Sequence, residues 1–218
     1  MFLPTLRSAA LAATFSLATL AASAQTFGEF LNKPELPVTF MGVDFSDARY
    51  YGPTLTVDQK EMKDLFTKIN DLLVREASKY DIAKALHRKN QVLYATNIAE
   101  SANQKVDPCT IVVPSDAPHR ASFTPQTVEG MLTHYTYPAD ASGVGVVFVV
   151  EDIIKNKEEE IFWVTFVDLA TKKMLYTEKM SGSGYGFGFR NHWAHPLNSG
   201  IKTMKAHYGK WKKRFAKA

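Results

Sequence analysis

Gly143-Val-Gly-Val-Val-Phe-Val-Val-Glu-Asp-Ile-Ile154 decides the fold of this 218-residue chain. A strand with one face in water alternates apolar and polar residues, whereas Val144–Ile154 is nearly all apolar, the mark of a strand covered on both faces. Asn156-Lys-Glu-Glu159 follows as a charged hairpin turn, and Ile161-Phe-Trp-Val-Thr-Phe-Val167 returns. Period two sends Phe162, Val164 and Phe166 one way and Trp163, Thr165 and Val167 the other. Asp168–Lys173 makes a second turn, and Met174–Met180 is the third strand of a meander.

Upstream, the β-branched and aromatic run Val38–Phe45 reads as a first strand, followed by a loop over Ala48–Pro53. Thr56-Val-Asp-Gln59 reads as a capping box. The helix it opens places Met62, Leu65, Phe66, Ile69, Leu72 and Leu73 on one face and Lys60, Lys63, Asp64, Lys68 and Asp71 on the other. Gln91–Ile98 reads as a second strand. Cys109–Val113, set between Pro108 and Pro114, reads as an edge strand. Thr124-Pro-Gln-Thr127 opens a short helix that stops by Pro138. After Pro196, the residues Leu197, Ile201, Met204, Tyr208, Trp211 and Phe215 form the stripe of a last helix. The expected fold is a single α/β (α+β) layered domain over residues 38–218, with helices packed on a mixed sheet. Residues 25–37 form an irregular lead-in.

The N-terminus carries Arg7, the apolar run Ala9–Ala22 and then Ala22-Ser-Ala24, the pattern of a secretory signal peptide cleaved before Gln25. Removing residues 1–24 leaves 218 − 24 = 194 residues, and losing Arg7 lowers the formal charge from +4 to +3. That balance does not mark a nucleic-acid binder. Export points to the periplasm, with outer-membrane association or secretion as the alternatives. One cysteine, Cys109, forms no internal disulfide and is expected as a buried or half-buried apolar residue.

The remaining chemistry gathers in Ser181-Gly-Ser-Gly-Tyr-Gly-Phe-Gly-Phe-Arg-Asn-His-Trp-Ala-His-Pro196. Gly182, Gly184, Gly186 and Gly188 miss the dinucleotide fingerprint, because its third glycine would fall at Phe187 or Phe189. A Walker A lysine, a serine elbow and H-E-x-x-H are also absent from the sequence. His192 and His195 could present two imidazoles to a metal, with Asp44, Asp47, His119 or His134 as further ligands. Pro196 biases His195 towards extended backbone and argues against a shared helix face. The glycines either let Tyr185, Phe187 and Phe189 pack on one strand face, or hold Tyr185, Phe187, Phe189, Arg190, His192 and Trp193 as a contact surface. From Gly200 to the end there are seven lysines and arginines and no acid, which a solvated face or an anionic surface would explain.

The order of elements resembles the small α/β domain shared by the N-terminal part of the TolB translocation protein, the curli-secretion lipoprotein CsgG and the LpoB activator of peptidoglycan synthases. The matching features are Val38–Phe45 ending in Asp-Phe before a helix, and the hairpin ending in Asp168-Leu-Ala-Thr171 before the final helix. Gly186–Trp193 is similar to a Gly-Phe-Gly-Phe-Arg-Asn-x-Trp block of exported Bacteroidetes proteins. The resemblance implies an envelope assembly or interaction module and not a catalyst. No cysteine stands near the expected cleavage point, a departure from the lipid-anchored CsgG and LpoB.

The expectation is therefore an exported, non-enzymatic interaction domain without a cofactor, meeting envelope proteins or a glycan and no nucleic acid. The alternatives are a metal-dependent or other hydrolase built on His192 and His195 with acids such as Asp44, and membrane-surface association through the basic C-terminal helix.

Overall fold

The computed structural model describes residues 25–53, 57–114 and 116–216. The signal peptide expected at residues 1–24 and the Thr56 cap lie outside them.

Among the described residues, seven strands form one mixed sheet with helices on both faces, the α/β layered arrangement expected. The run that decided the fold is β5 (Val144–Ile154), and every one of its residues is buried. β6 (Glu159–Asp168) and β7 (Lys173–Ser183) complete the antiparallel meander along one side of it. Two strands run end to end along the other side, both parallel to β5. β1 (Val38–Asp44) lies beside Val144–Val149, and β2 (Arg49–Tyr51), within the expected loop, lies beside Asp152–Ile154. The two-residue strands β3 (Leu93–Tyr94) and β4 (Val112–Val113) flank β1 and β2 on the outside.

Period two then separates two cores. Val144, Val146, Phe148, Phe162, Val164 and Phe166 join the larger one. It is covered by α1 (Phe27–Asn32), α2 (Gln59–Arg75), α3 (Ile82–Ala85) and α6 (Phe189–Phe215). Val147, Val149, Trp163 and Val167 join the smaller one, under α4 (Asn97–Asn103) and α5 (Pro125–Leu132). The Phe45 and Phe66 rings stack 4.1 Å apart, fastening the end of β1 to α2. Burying each such ring contributes about 1.5–3 kcal/mol.

Several local readings are corrected. The lead-in contains α1, because Thr26-Phe-Gly-Glu29 is a capping box and Phe27, Phe30 and Leu31 fit the core. The second strand shrinks to Leu93–Tyr94, since Ile98, Ala99 and Ala102 fall at helical spacing and their burial draws the chain into α4. Residues Pro108–Thr110 form a 3₁₀ turn capped by Asp107, which leaves Cys109 exposed instead of buried. The cap of α2 is Asp58, whose carboxylate accepts the Glu61 N–H.

Beyond the end of β3, the outer backbone of β1 needs other partners. Two buried asparagines supply them. Asn70 of α2 accepts the Val43 N–H through Oδ1 at 2.7 Å and donates to the Val43 carbonyl. Asn103 of α4 accepts the Phe45 N–H at 2.7 Å and donates to the same Val43 carbonyl. Where the chain passes from β1 to β2, and β5 bulges between Val150 and Asp152, the Arg120 guanidinium enters. It donates to the carbonyls of Asp47 (2.7 Å) and Glu151 (2.6 Å) and pairs with the carboxylates of Asp47 and Asp152.

Asn70→Ala leaves the Val43 N–H buried without its acceptor. The expected cost is about 2–3 kcal/mol, read from urea unfolding, against no more than ~0.5 kcal/mol for Asp71→Ala on the exposed side of the same helix.

Candidate functional site

β7 extends past its expected end and carries Gly182 into the sheet opposite Glu160. It stops at Ser183, and the Gly184 N–H donates to the Glu158 carbonyl at 2.7 Å. Residues 184–188 then form a loop, and α6 begins at Phe189, ahead of the expected start after Pro196. The reason lies in that proline. Without an N–H it leaves the His192 carbonyl lacking its helical donor, and the Tyr185 N–H of the loop donates to that carbonyl at 3.2 Å. The loop thus fills the gap that proline makes in the helix. Gly182 permits the approach, since a Cβ there would stand 2.8 Å from the Pro196 Cα and carbonyl oxygen. Gly186 and Gly188 turn the chain at φ +106° and +77°, a region that side-chain-bearing residues rarely enter.

This path distributes the sequence candidates unevenly. Tyr185 is 73% exposed and Phe187 is 96% exposed, both in the loop and neither on a strand face. Phe189 is half-buried near Tyr50, Phe66 and Trp193. Trp193 belongs to the core, its ring edge-on to Tyr50, and is no part of an exposed surface. The Arg190 guanidinium donates to Asn191 Oδ1, and Asn191 in turn donates to the Phe187 carbonyl at 3.2 Å. Two hollows of about 330 and 260 Å³ flank Phe187–Phe189. Lys68 and Arg190 help line the first, and Tyr50, Lys155 and His192 help line the second.

His192 and His195 share α6, against the expectation from Pro196, but their rings serve different neighbours. His192 Nδ1 faces the Gly186 carbonyl at 3.3 Å and its Nε2 contacts the Glu158 carboxylate. His195 Nδ1 meets the Ser183 carbonyl at 3.0 Å. Glu158 also pairs with Lys155 at 2.6 Å, an interaction that holds its carboxyl below the usual range. Asp44 is remote from both imidazoles. It is buried and accepts the Tyr135 hydroxyl at 2.6 Å on the α4/α5 side of the sheet, and burial raises its pKa. Asp47 is paired with Arg49 and Arg120, and His119 stacks on Tyr51 at 4.1 Å. Among the described residues, no three His, Cys, Asp or Glu side chains are grouped to hold a metal ion.

Sequence reasoning missed Tyr50, Lys155 and Glu158 as companions of the loop. Spacing could not connect a hairpin turn at 158 with a ring at 192. The clue within reach was the pairing of Gly182 and Gly184 with a proline inside a helical pattern. Glu160 was missed as well. It points to the same face as Phe162, whose ring lies against α6 where a Cβ at Gly200 would meet it at 2.6 Å. Glu160 is fully buried, and neither carboxyl oxygen has a hydrogen-bond partner among the described residues. Burial therefore raises its pKa well above the ordinary value, favouring the neutral acid.

No protein-family model and no curated protein sequence matches the chain.

A carboxyl whose pKa is raised on folding stabilises fully below its unfolded pKa of about 4.3 and loses that contribution as pH rises. Glu160→Gln should match the parent near pH 4. It should become the more stable protein as pH increases towards 8, by at most about 1.4 kcal/mol per pH unit. Thermal melts across that range measure the gap, and a constant gap would contradict the buried neutral acid.

Proposed function

We propose that this chain is an exported, non-enzymatic interaction domain of the bacterial cell envelope, and that the 184–188 loop is its contact surface. The carrying observation is Phe187, which stands 96% exposed at the apex of the loop with Tyr185 beside it. Its position is fixed from behind: the Tyr185 N–H and the Phe187 carbonyl are both hydrogen-bonded to the first turns of α6. A pre-ordered loop loses little conformational freedom on contact, which is how exposed rings become effective anchors.

The non-catalytic reading draws support from the histidines. Each ring is engaged by a main-chain carbonyl of the loop region, and the sheet separates both from Asp44. Export rests on the apolar run Ala9–Ala22 and Ala22-Ser-Ala24. The resemblance to the TolB, CsgG and LpoB domain points towards the same compartment.

Phe187→p-benzoylphenylalanine, irradiated in cells exporting the protein, should give crosslinked products that the same replacement at Gln126 on α5 does not. Equal labelling from both positions, or none from 187, would remove the loop as the contact surface.

A further inference from the structure

We infer that the 184–188 loop and the exposed face of α6 together form a peripheral site for an anionic phospholipid bilayer. This rests on the reading of the loop as a contact surface and names the surface it meets.

α6 has 27 residues and is about 40 Å long. Its core side is Trp193, Leu197, Ile201, Met204, Tyr208 and Trp211. Half a turn away run His195, Ser199, Lys202, Ala206, Lys210 and Lys213; the first two are half-buried, His195 beside the end of β7, and the stripe is exposed from Lys202 onwards. Lys202, Lys205, Lys210, Lys212, Lys213 and Arg214 are all exposed. Among the described residues, none of these six pairs with a carboxylate. From Ser181 onwards the sequence has no acidic residue at all. The neighbouring face of α2 mixes Lys60 and Lys68 with Asp64 and Asp71, so the excess of positive charge lies on α6.

The loop joins this stripe at one end. The Tyr185 ring lies 5.4 Å from the ring of His195, the first residue of the stripe, and Phe187, in the same loop, is 96% exposed beside a hollow lined by Glu61 and Lys68 of α2. A bilayer offers an anionic plane and an apolar layer immediately beneath it. That combination matches an acid-free cationic helix face from Lys202 onwards, joined through His195 to a loop with two exposed rings. The apolar side of α6 is committed to the core, so the helix lies on the headgroups while Tyr185 and Phe187 enter the interface. A protein partner would have to present a pocket for Phe187 and an acidic strip of comparable length.

Phe187→Trp supplies the probe, because Trp163, Trp193 and Trp211 are all buried. With vesicles of phosphatidylglycerol and phosphatidylethanolamine at low salt, the new emission should shift to the blue. With phosphatidylcholine alone it should not. Phe187→Ala should lower partitioning about tenfold, and each of Lys202→Gln and Lys213→Gln roughly fivefold, the lysine contribution fading in 0.5 M salt as about 3–10 Å screening sets in. These positions are exposed, and far-UV circular dichroism verifies that the variants stay folded. Unchanged emission on anionic vesicles, or partitioning indifferent to Phe187→Ala, would overturn the inference. A protein crosslinked at position 187 without any vesicle response would overturn it too, while leaving the loop as a contact surface. Absence of every crosslink from 187 would remove both.

Discussion

Both edges of β5 are hydrogen-bonded along nearly its whole length, and the rest of the molecule depends on that strand. Its antiparallel neighbour β6 is adjacent in sequence, whereas its parallel neighbours β1 and β2 come from the far end of the chain. A single strand cannot keep one unbroken ladder with two successive partners, and the junction falls at the bulge between Val150 and Asp152. There the ladder gives way to the Arg120 fork, which joins the carbonyls of Asp47 and Glu151 through one planar group. Asn70 and Asn103 do the equivalent for the outer edge of β1. Three side chains thus complete the hydrogen bonding at the β1–β2 junction and on the outer edge of β1.

The layered architecture was legible because period two and period 3.6 are local properties. Val144–Ile154 announced its double burial, the faces of β6 sorted as the alternation requires, and the stripe from Leu197 to Trp211 is the buried side of α6. What escaped depends on distant contacts. Asn70 sits among apolar residues of α2 and makes sense only beside Val43, 27 positions away. Cys109 looked apolar in a short hydrophobic run, yet the Asp107 cap turns it outwards. Proline suggested that the last helix begins after 196, and the compensating donor comes from Tyr185, which no periodicity links to His192.

The candidate surface was legible in composition and not in arrangement. Glycine and aromatic residues alternate through the stretch, but the rings divide between two roles. Trp193 and Phe189 close the core, while Tyr185 and Phe187 are left outside by glycines that turn the backbone away from it. The same segment therefore fastens the helix and leaves the two rings exposed through one set of hydrogen bonds.

The parallel pairing of β1 with β5 has a kinetic side. Val38 lies opposite Val144, a separation of 144 − 38 = 106 residues, so nearly half of the 218-residue chain must be closed into a loop before these strands meet. Such non-local pairing slows folding, because the entropy of closure is spent before any contact repays it. A growing polypeptide that has not yet reached residue 144 lacks the strand that takes the inner side of β1 in the finished sheet.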